Sequence, residues 1–149
     1  MIVVLGIGNR LRGDDGIGSI VAQELKKYES DNLIVYDCET TPENYIDKVI
    51  SNNPDWVIFI DACNFNAPVG SFRLFEEKEV SKLSGAFVST HTLPLTVSVA
   101  LIKTNLPHTR ISLLGIQPER LNFSMTLSNK LRQSKNEIIN FLLKLLKES

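Results

Sequence analysis

Two aspartates and a histidine, widely separated in the chain, have the types and settings to meet around one divalent metal ion. Asp15 stands in the segment Gly6-Ile-Gly-Asn-Arg-Leu-Arg-Gly-Asp-Asp-Gly-Ile-Gly18. Asp61 ends the apolar run Trp56-Val-Ile-Phe-Ile60, and His91 lies in Ser89-Thr-His-Thr-Leu-Pro94. Each is expected where a strand gives way to a loop or a helix start. Two carboxylates and an imidazole are a donor set that a borderline divalent metal accepts. Each residue also has a plain structural reading. A helix-start aspartate caps the helix or offsets its dipole, a strand-end aspartate caps the next turn, and a lone histidine is often solvated. Asp14 and Asp15 stand in series, so Asp14 can take the capping duty and leave Asp15 for chemistry.

The elements that must position these residues follow from hydrophobic period. Ile2–Ile7 is a continuous apolar, β-branched run, as in a strand covered on both faces. Ile17, Ile20, Val21, Leu25 and Tyr28 then recur at helical spacing, with Asp14 and Asp15 in the first turn. Residues 33–36 read as a second strand ending at Asp37. Thr41-Pro-Glu-Asn opens a helix with proline at its first position, running to about Ser51. Trp56–Ala62 is the third strand. Residues 71–75 read as an edge strand, residues 76–83 as a short polar helix, and residues 94–103 as a helix burying Leu95, Val99 and Ile102. Residues 110–114 form the last strand. A long amphipathic helix runs from about Ser128, with Leu131, Ile138, Leu142 and Leu145 on its buried stripe. Alternating strands and helices imply parallel pairing with right-handed crossovers. The expected architecture is a three-layer α/β/α sandwich in one domain, residues 1–149, around a mostly parallel twisted sheet of about five strands. In such sheets ligands bind beyond the strand carboxyl ends, where strand order reverses. If the second and third strands flank the first, the loops of Asp15 and Asp61 border one crevice.

Rival chemistries are weaker. Gly6-x-Gly8 follows a strand, but position 11 is leucine, so the dinucleotide fingerprint is not met; no phosphate-binding G-x-x-x-x-G-K-[ST] occurs either. Paired aspartates would also repel a pyrophosphate. Cys38 and Cys63 form no C-x-x-C pair, which excludes a zinc framework and suits a reducing cytoplasm. A thiol nucleophile would need a base such as His91 within reach. His108 reads as solvated in a turn. Glu39, Thr40 and Thr41 are expected to line the loop after the second strand. A net charge of −1 gives no electrostatic reason to bind nucleic acid or anionic membrane. No apolar stretch approaches membrane-spanning length, and the N-terminus lacks the features of a signal peptide.

Four motifs in order carry a family resemblance. They are Gly6-x-Gly8-Asn9 with Asp14-Asp15-Gly16-x-Gly18, then Phe59-Ile60-Asp61-Ala62, then Thr90-His91-x-Leu93-Pro94-Leu95, then Leu114-Gly115-Ile116-Gln117-Pro118-Glu119. The chain resembles the hydrogenase maturation endopeptidases, which trim the large subunit of nickel–iron hydrogenases, and within them the branch serving hydrogenase 3-type enzymes. The resemblance implies that Asp15, Asp61 and His91 contact the metal and take part in catalysis. The metal is then nickel already seated in the precursor, with no organic cofactor. The implied partner is the large-subunit precursor, whose C-terminal extension is removed, and the implied state is a monomer. One departure is visible: many members carry Asp-Gly-Gly after the second strand, and this chain carries Asp37-Cys38-Glu39, a stiffer loop bearing on substrate choice. Leu11 and Phe65 are expected on the partner-facing surface. A non-proteolytic nickel- or subunit-binding chaperone would use the same three residues, and a small nucleotide-binding enzyme is a more distant rival.

Overall fold

The computed structural model describes residues 1–83, 94–119 and 124–149. A five-stranded sheet has the order β2-β1-β3-β5-β4. Strands β1 (Ile2–Ile7), β2 (Leu33–Glu39), β3 (Trp56–Ala62) and β5 (Arg110–Ile116) run parallel, and β4 (Phe72–Glu76) pairs antiparallel with β5 at the edge. Strand β1 lies between β2 and β3, so strand order reverses there, as the crevice argument requires.

The pleat divides the core in two. Val4, Ile58, Ile60, Leu114 and Ile116 face α1 (Ile17–Leu25) and α5 (Asn129–Lys147). Val3, Leu5, Ile7, Val57, Phe59, Ile111 and Leu113 face α2 (Ile46–Asn52) and α4 (Leu95–Asn105). Successive strand residues serve opposite faces, which explains why these strands are apolar throughout rather than alternating. The remaining helix, α3 (Glu77–Val80), continues as a 3-10 turn over Ser81–Leu83.

Most expected elements are present, and three differences bear on the site. Strand β2 extends to Glu39 because its ladder with β1 continues past a bulge: Gly6 pairs with Asp37, and Ile7 pairs with Glu39. The helix after Pro42 begins as a 3-10 turn over Pro42–Tyr45 before α2. Asp14 and Asp15 lie in a separate 3-10 turn, Gly13–Gly16, ahead of α1. Among the described residues no helix is long and apolar enough to cross a membrane.

Helix α1 meets the sheet at backbone distance. A methyl group on Gly18 would stand 2.1 Å from the Ile7 carbonyl oxygen and 2.3 Å from that of Ile60. One on Gly6 would stand 2.3 Å from the Gly18 carbonyl oxygen and from the Ala22 side chain. Only glycine lets the start of α1 rest on the ends of β1 and β3 together. Gly18→Ala is expected to cost about 2–3 kcal/mol in chemical denaturation, since rigid backbone must move to admit the methyl group. A loss below about 0.5 kcal/mol, the range of neutral surface changes, would contradict this contact.

Candidate active site

The loops after β1 and β3 meet at the carboxyl edge of the sheet. Asp15 sits three residues before Gly18, and Asp61 follows Ile60, whose carbonyl abuts Gly18. Gly8 adds a second close contact, since a methyl group there would lie 2.3 Å from the Asp15 carbonyl oxygen. Both aspartates are fully buried. By parity with Val57 and Phe59, Asp61 belongs to the face covered by α2 and α4. A fully buried carboxylate is costly unless hydrogen bonds, a countercharge or a metal compensate it. Two at one rim are a chemistry suited to a divalent cation. Among the described residues no three His, Cys, Asp or Glu side chains stand together as a metal site. His91 lies outside the described residues.

Asp14 does different work. Its carboxylate accepts the backbone N–H groups of Glu119 and Ser128, each at 2.7 Å, and the Ser128 hydroxyl at 2.8 Å. Ser128 in turn caps α5 by accepting from the Leu131 N–H. One buried carboxylate thus ties the first loop to the segment after β5 and to the start of the last helix. Gln117 completes the frame: its Oε1 accepts from the Phe65 N–H at 2.9 Å and the Ala67 N–H at 3.3 Å, and its Nε2 donates to Asn64. Sequence reading gave Asp14 a local cap and Gln117 no role. Their motifs were visible, but their partners are far away in the chain.

Asp37 anchors the third side of the rim. Its carboxylate accepts from Arg10 Nη2 and from the Ser19 hydroxyl, both at 2.7 Å, and from Gln23 at 3.2 Å; Arg10 Nε also donates to Ser19. The following loop carries Glu39 at φ +51°, a left-handed conformation where glycine would be at ease. The departure from Asp-Gly-Gly thus keeps the glycine-like turn at Glu39 rather than abolishing it. A cleft of about 250 Å³ opens between the two loops, lined by Gly8, Asn9, Arg10, Leu11, Glu39 and Thr40.

Comparison with known proteins gives the chain a family. The profile of the hydrogenase maturation proteases matches residues 20–145. The chain belongs to the hydrogenase maturation protease family. A Methanocaldococcus jannaschii protein provisionally named a hydrogenase maturation protease is 30% identical, over 99% of this chain and 89% of its own length. The crystal structure of a nickel–iron hydrogenase maturation protease from Thermococcus kodakarensis superposes with a TM-score of 0.84 at 33% identity, covering 98% of this chain and 92% of that one. The hydrogenase-maturating endopeptidase of Escherichia coli gives 0.84 at 26% identity, covering 99% and 92%. The family match includes the sequence positions of Asp61 and His91, and Asp15 precedes it.

Neither thiol of this protease is set up as a nucleophile. Cys38 and Cys63 are free and buried. Burial, then the charges of Asp37 and Glu43, push the Cys38 thiol far above its ordinary range. Burial, then the Asp61 carboxylate, push Cys63 up to about 12. A reactive cysteine needs the opposite, an electropositive and accessible setting. Of the expected surface residues, Leu11 is 54% exposed. Phe65 is half-buried and packs edge-on against Phe75 of β4 with ring centres 5.4 Å apart, so it holds the loop after β3 against the edge strand. His108 is exposed in a turn.

Two predictions follow from this frame. Asp14→Ala, which strands three donors around a buried site, is expected to cost about 3–5 kcal/mol by denaturant titration; a cost under about 1 kcal/mol would mean the clamp is dispensable. Both thiols are expected to resist alkylation at pH 8 until the chain unfolds, and rapid native-state labelling of either would contradict their assignment. The Cys63 contribution to stability has a definite sign. The unfolded thiol ionises around its ordinary value of 9.0 and the folded one only near 12. Its share of stability is therefore complete below pH 9 and is lost as pH rises toward 12.

Proposed function

We propose that this protease removes the C-terminal extension of a nickel–iron hydrogenase large-subunit precursor after nickel insertion, and that the inserted nickel is what it recognises. The observation that carries this reading is the burial of Asp15 and Asp61 on adjoining loops at the point where strand order reverses. With His91, they make a two-oxygen, one-nitrogen set for a metal that arrives as part of the substrate. Three protein donors leave coordination positions for the precursor's own ligands, as docking of an already bound ion demands.

The chemistry that remains is water attack on a peptide bond held beside the metal. Asp15 and Asp61 are the available carboxylate bases, which makes the reaction aspartyl-type, and metal-bound water of lowered pKa is the other route to the nucleophile. The buried, protonated thiols support a water nucleophile over a cysteine one. The protease acts as a monomer in the cytoplasm, where its two thiols stay reduced.

The mass of a nickel-loaded precursor before and after incubation tests the proposal. Loss of a C-terminal peptide is expected with the wild-type chain, and none from a nickel-free precursor. Asp61→Asn is expected to slow trimming by at least about 100-fold, the scale of removing a catalytic base. Unimpaired trimming by Asp61→Asn would remove that residue from the mechanism. A stable complex with unchanged precursor mass would point instead to a binding role without cleavage.

A further inference from the structure

Water attack on a peptide bond builds negative charge on the carbonyl oxygen. The water oxygen bonds to the carbonyl carbon, one water proton passes to a carboxylate, and the π pair of the C=O bond moves onto oxygen. That pair then returns, the C–N bond breaks, and the leaving nitrogen takes the proton from the carboxyl group. Hydrogen-bond donors aimed at the oxyanion lower the barrier, whereas two aspartates at the rim repel it. Among the side chains that line the cleft of about 250 Å³, Asn9 has the chemistry this charge needs. Its Oδ1 accepts the Leu11 N–H at 3.0 Å, and its backbone carbonyl accepts the Arg12 N–H at 3.1 Å. With the oxygen held, Nδ2 is the opposite arm of the amide, and it has no hydrogen-bond partner among the described residues. The other side-chain donors of the lining are less suited. Arg10 is already bonded to Asp37 and Ser19, and Thr40 has no bond among the described residues that orients its hydroxyl.

We propose that Asn9 is a catalytic residue whose Nδ2 amide donates to the oxyanion as the peptide bond is cut. The inference rests on the proteolytic reading above and adds to it a group that binds no metal. Two short turns join Asn9 to Asp15: the Arg12 N–H donates to the Asn9 carbonyl and the Asp15 N–H donates to the Arg12 carbonyl, each at 3.1 Å. Gly8, the residue before Asn9, comes so near that a methyl group on it would stand 2.3 Å from the Asp15 carbonyl oxygen. One compact loop thus carries both the amide and the carboxylate, which presets their spacing before substrate arrives. A turn alone does not call for asparagine. Ser30 closes the same kind of turn by accepting the Asn32 N–H at 3.1 Å. Asparagine adds an NH2 donor for which the turn has no use.

The test measures trimming of nickel-loaded large-subunit precursor by the full chain and two variants, with precursor affinity from titration calorimetry and stability from denaturant titration. Asn9→Asp keeps the acceptor for the Leu11 N–H and removes the donor. Asn9→Ala removes both and adds no charge. In both, kcat is expected to fall about 100- to 1,000-fold, the scale of one lost oxyanion donor, with KM and Kd within about threefold of wild type. Only Asn9→Ala is expected to unfold at lower denaturant concentration. Wild-type kcat in Asn9→Asp would overturn the proposal and leave Asn9 a turn residue. A slow Asn9→Asp beside an unimpaired Asn9→Ala would overturn it as well, because the added charge then explains the loss, and so would a loss confined to KM and Kd. A wild-type chain that binds the precursor without cutting it overturns the proteolytic reading and this one together. A wild-type chain that cuts, with both variants unimpaired, overturns this one alone.

Discussion

The approach of α1 to the sheet is the constraint on which the rest of this molecule depends. Gly18 sits against the carbonyls of Ile7 and Ile60 at a distance that excludes any side chain. The contact is backbone on backbone, so it fixes position more tightly than side-chain packing, which can shift rotamers. It places the turn bearing Asp15 over the end of β3, one residue from Asp61. Without it, two carboxylates from separate loops would have no reason to share a rim.

Around that contact, neighbouring acidic residues take opposite duties. Asp14 reaches Glu119 and Ser128 and spends its charge on three donors. Asp37 spends its own on Arg10, Ser19 and Gln23. Asp15 and Asp61 are fully buried. Burial, and then the Asp61 carboxylate, push the neighbouring Cys63 thiol up to about 12. A site of this kind disfavours thiolate chemistry and favours a cation, and family membership gives that preference a proteolytic setting.

The sheet was legible because its strands are long apolar runs and its helices repeat at helical spacing. Parallel pairing followed from the alternation of strands and helices, whereas the place of β1 between β2 and β3 was only a condition of the crevice argument, and the structure meets it. The site was legible only in part. Asp15 and Asp61 could be chosen from their places at strand ends, and the structure puts them on one rim. His91 stands in an irregular stretch of sequence with no clear period, and it lies outside the described residues. The clamp from Asp14 to Ser128 was out of reach because it spans 114 positions and no local period announces it. The bulge at Cys38 and the left-handed Glu39 were hidden for another reason. A glutamate carries no local signal for positive φ, and only the ladder between β1 and β2 forces it there. Phe65 illustrates the converse: an aromatic in a loop invites a surface reading, and its partner Phe75 lies on a different strand.

The most direct measurement is nickel-edge X-ray absorption of the loaded precursor, alone and bound to this protease. The account predicts additional oxygen and nitrogen scattering at about 2.0–2.2 Å in the complex, reduced when Asp61 is replaced by asparagine and again when Asp15 is. An identical nickel environment in free and bound precursor would contradict the claim that these carboxylates converge on the metal.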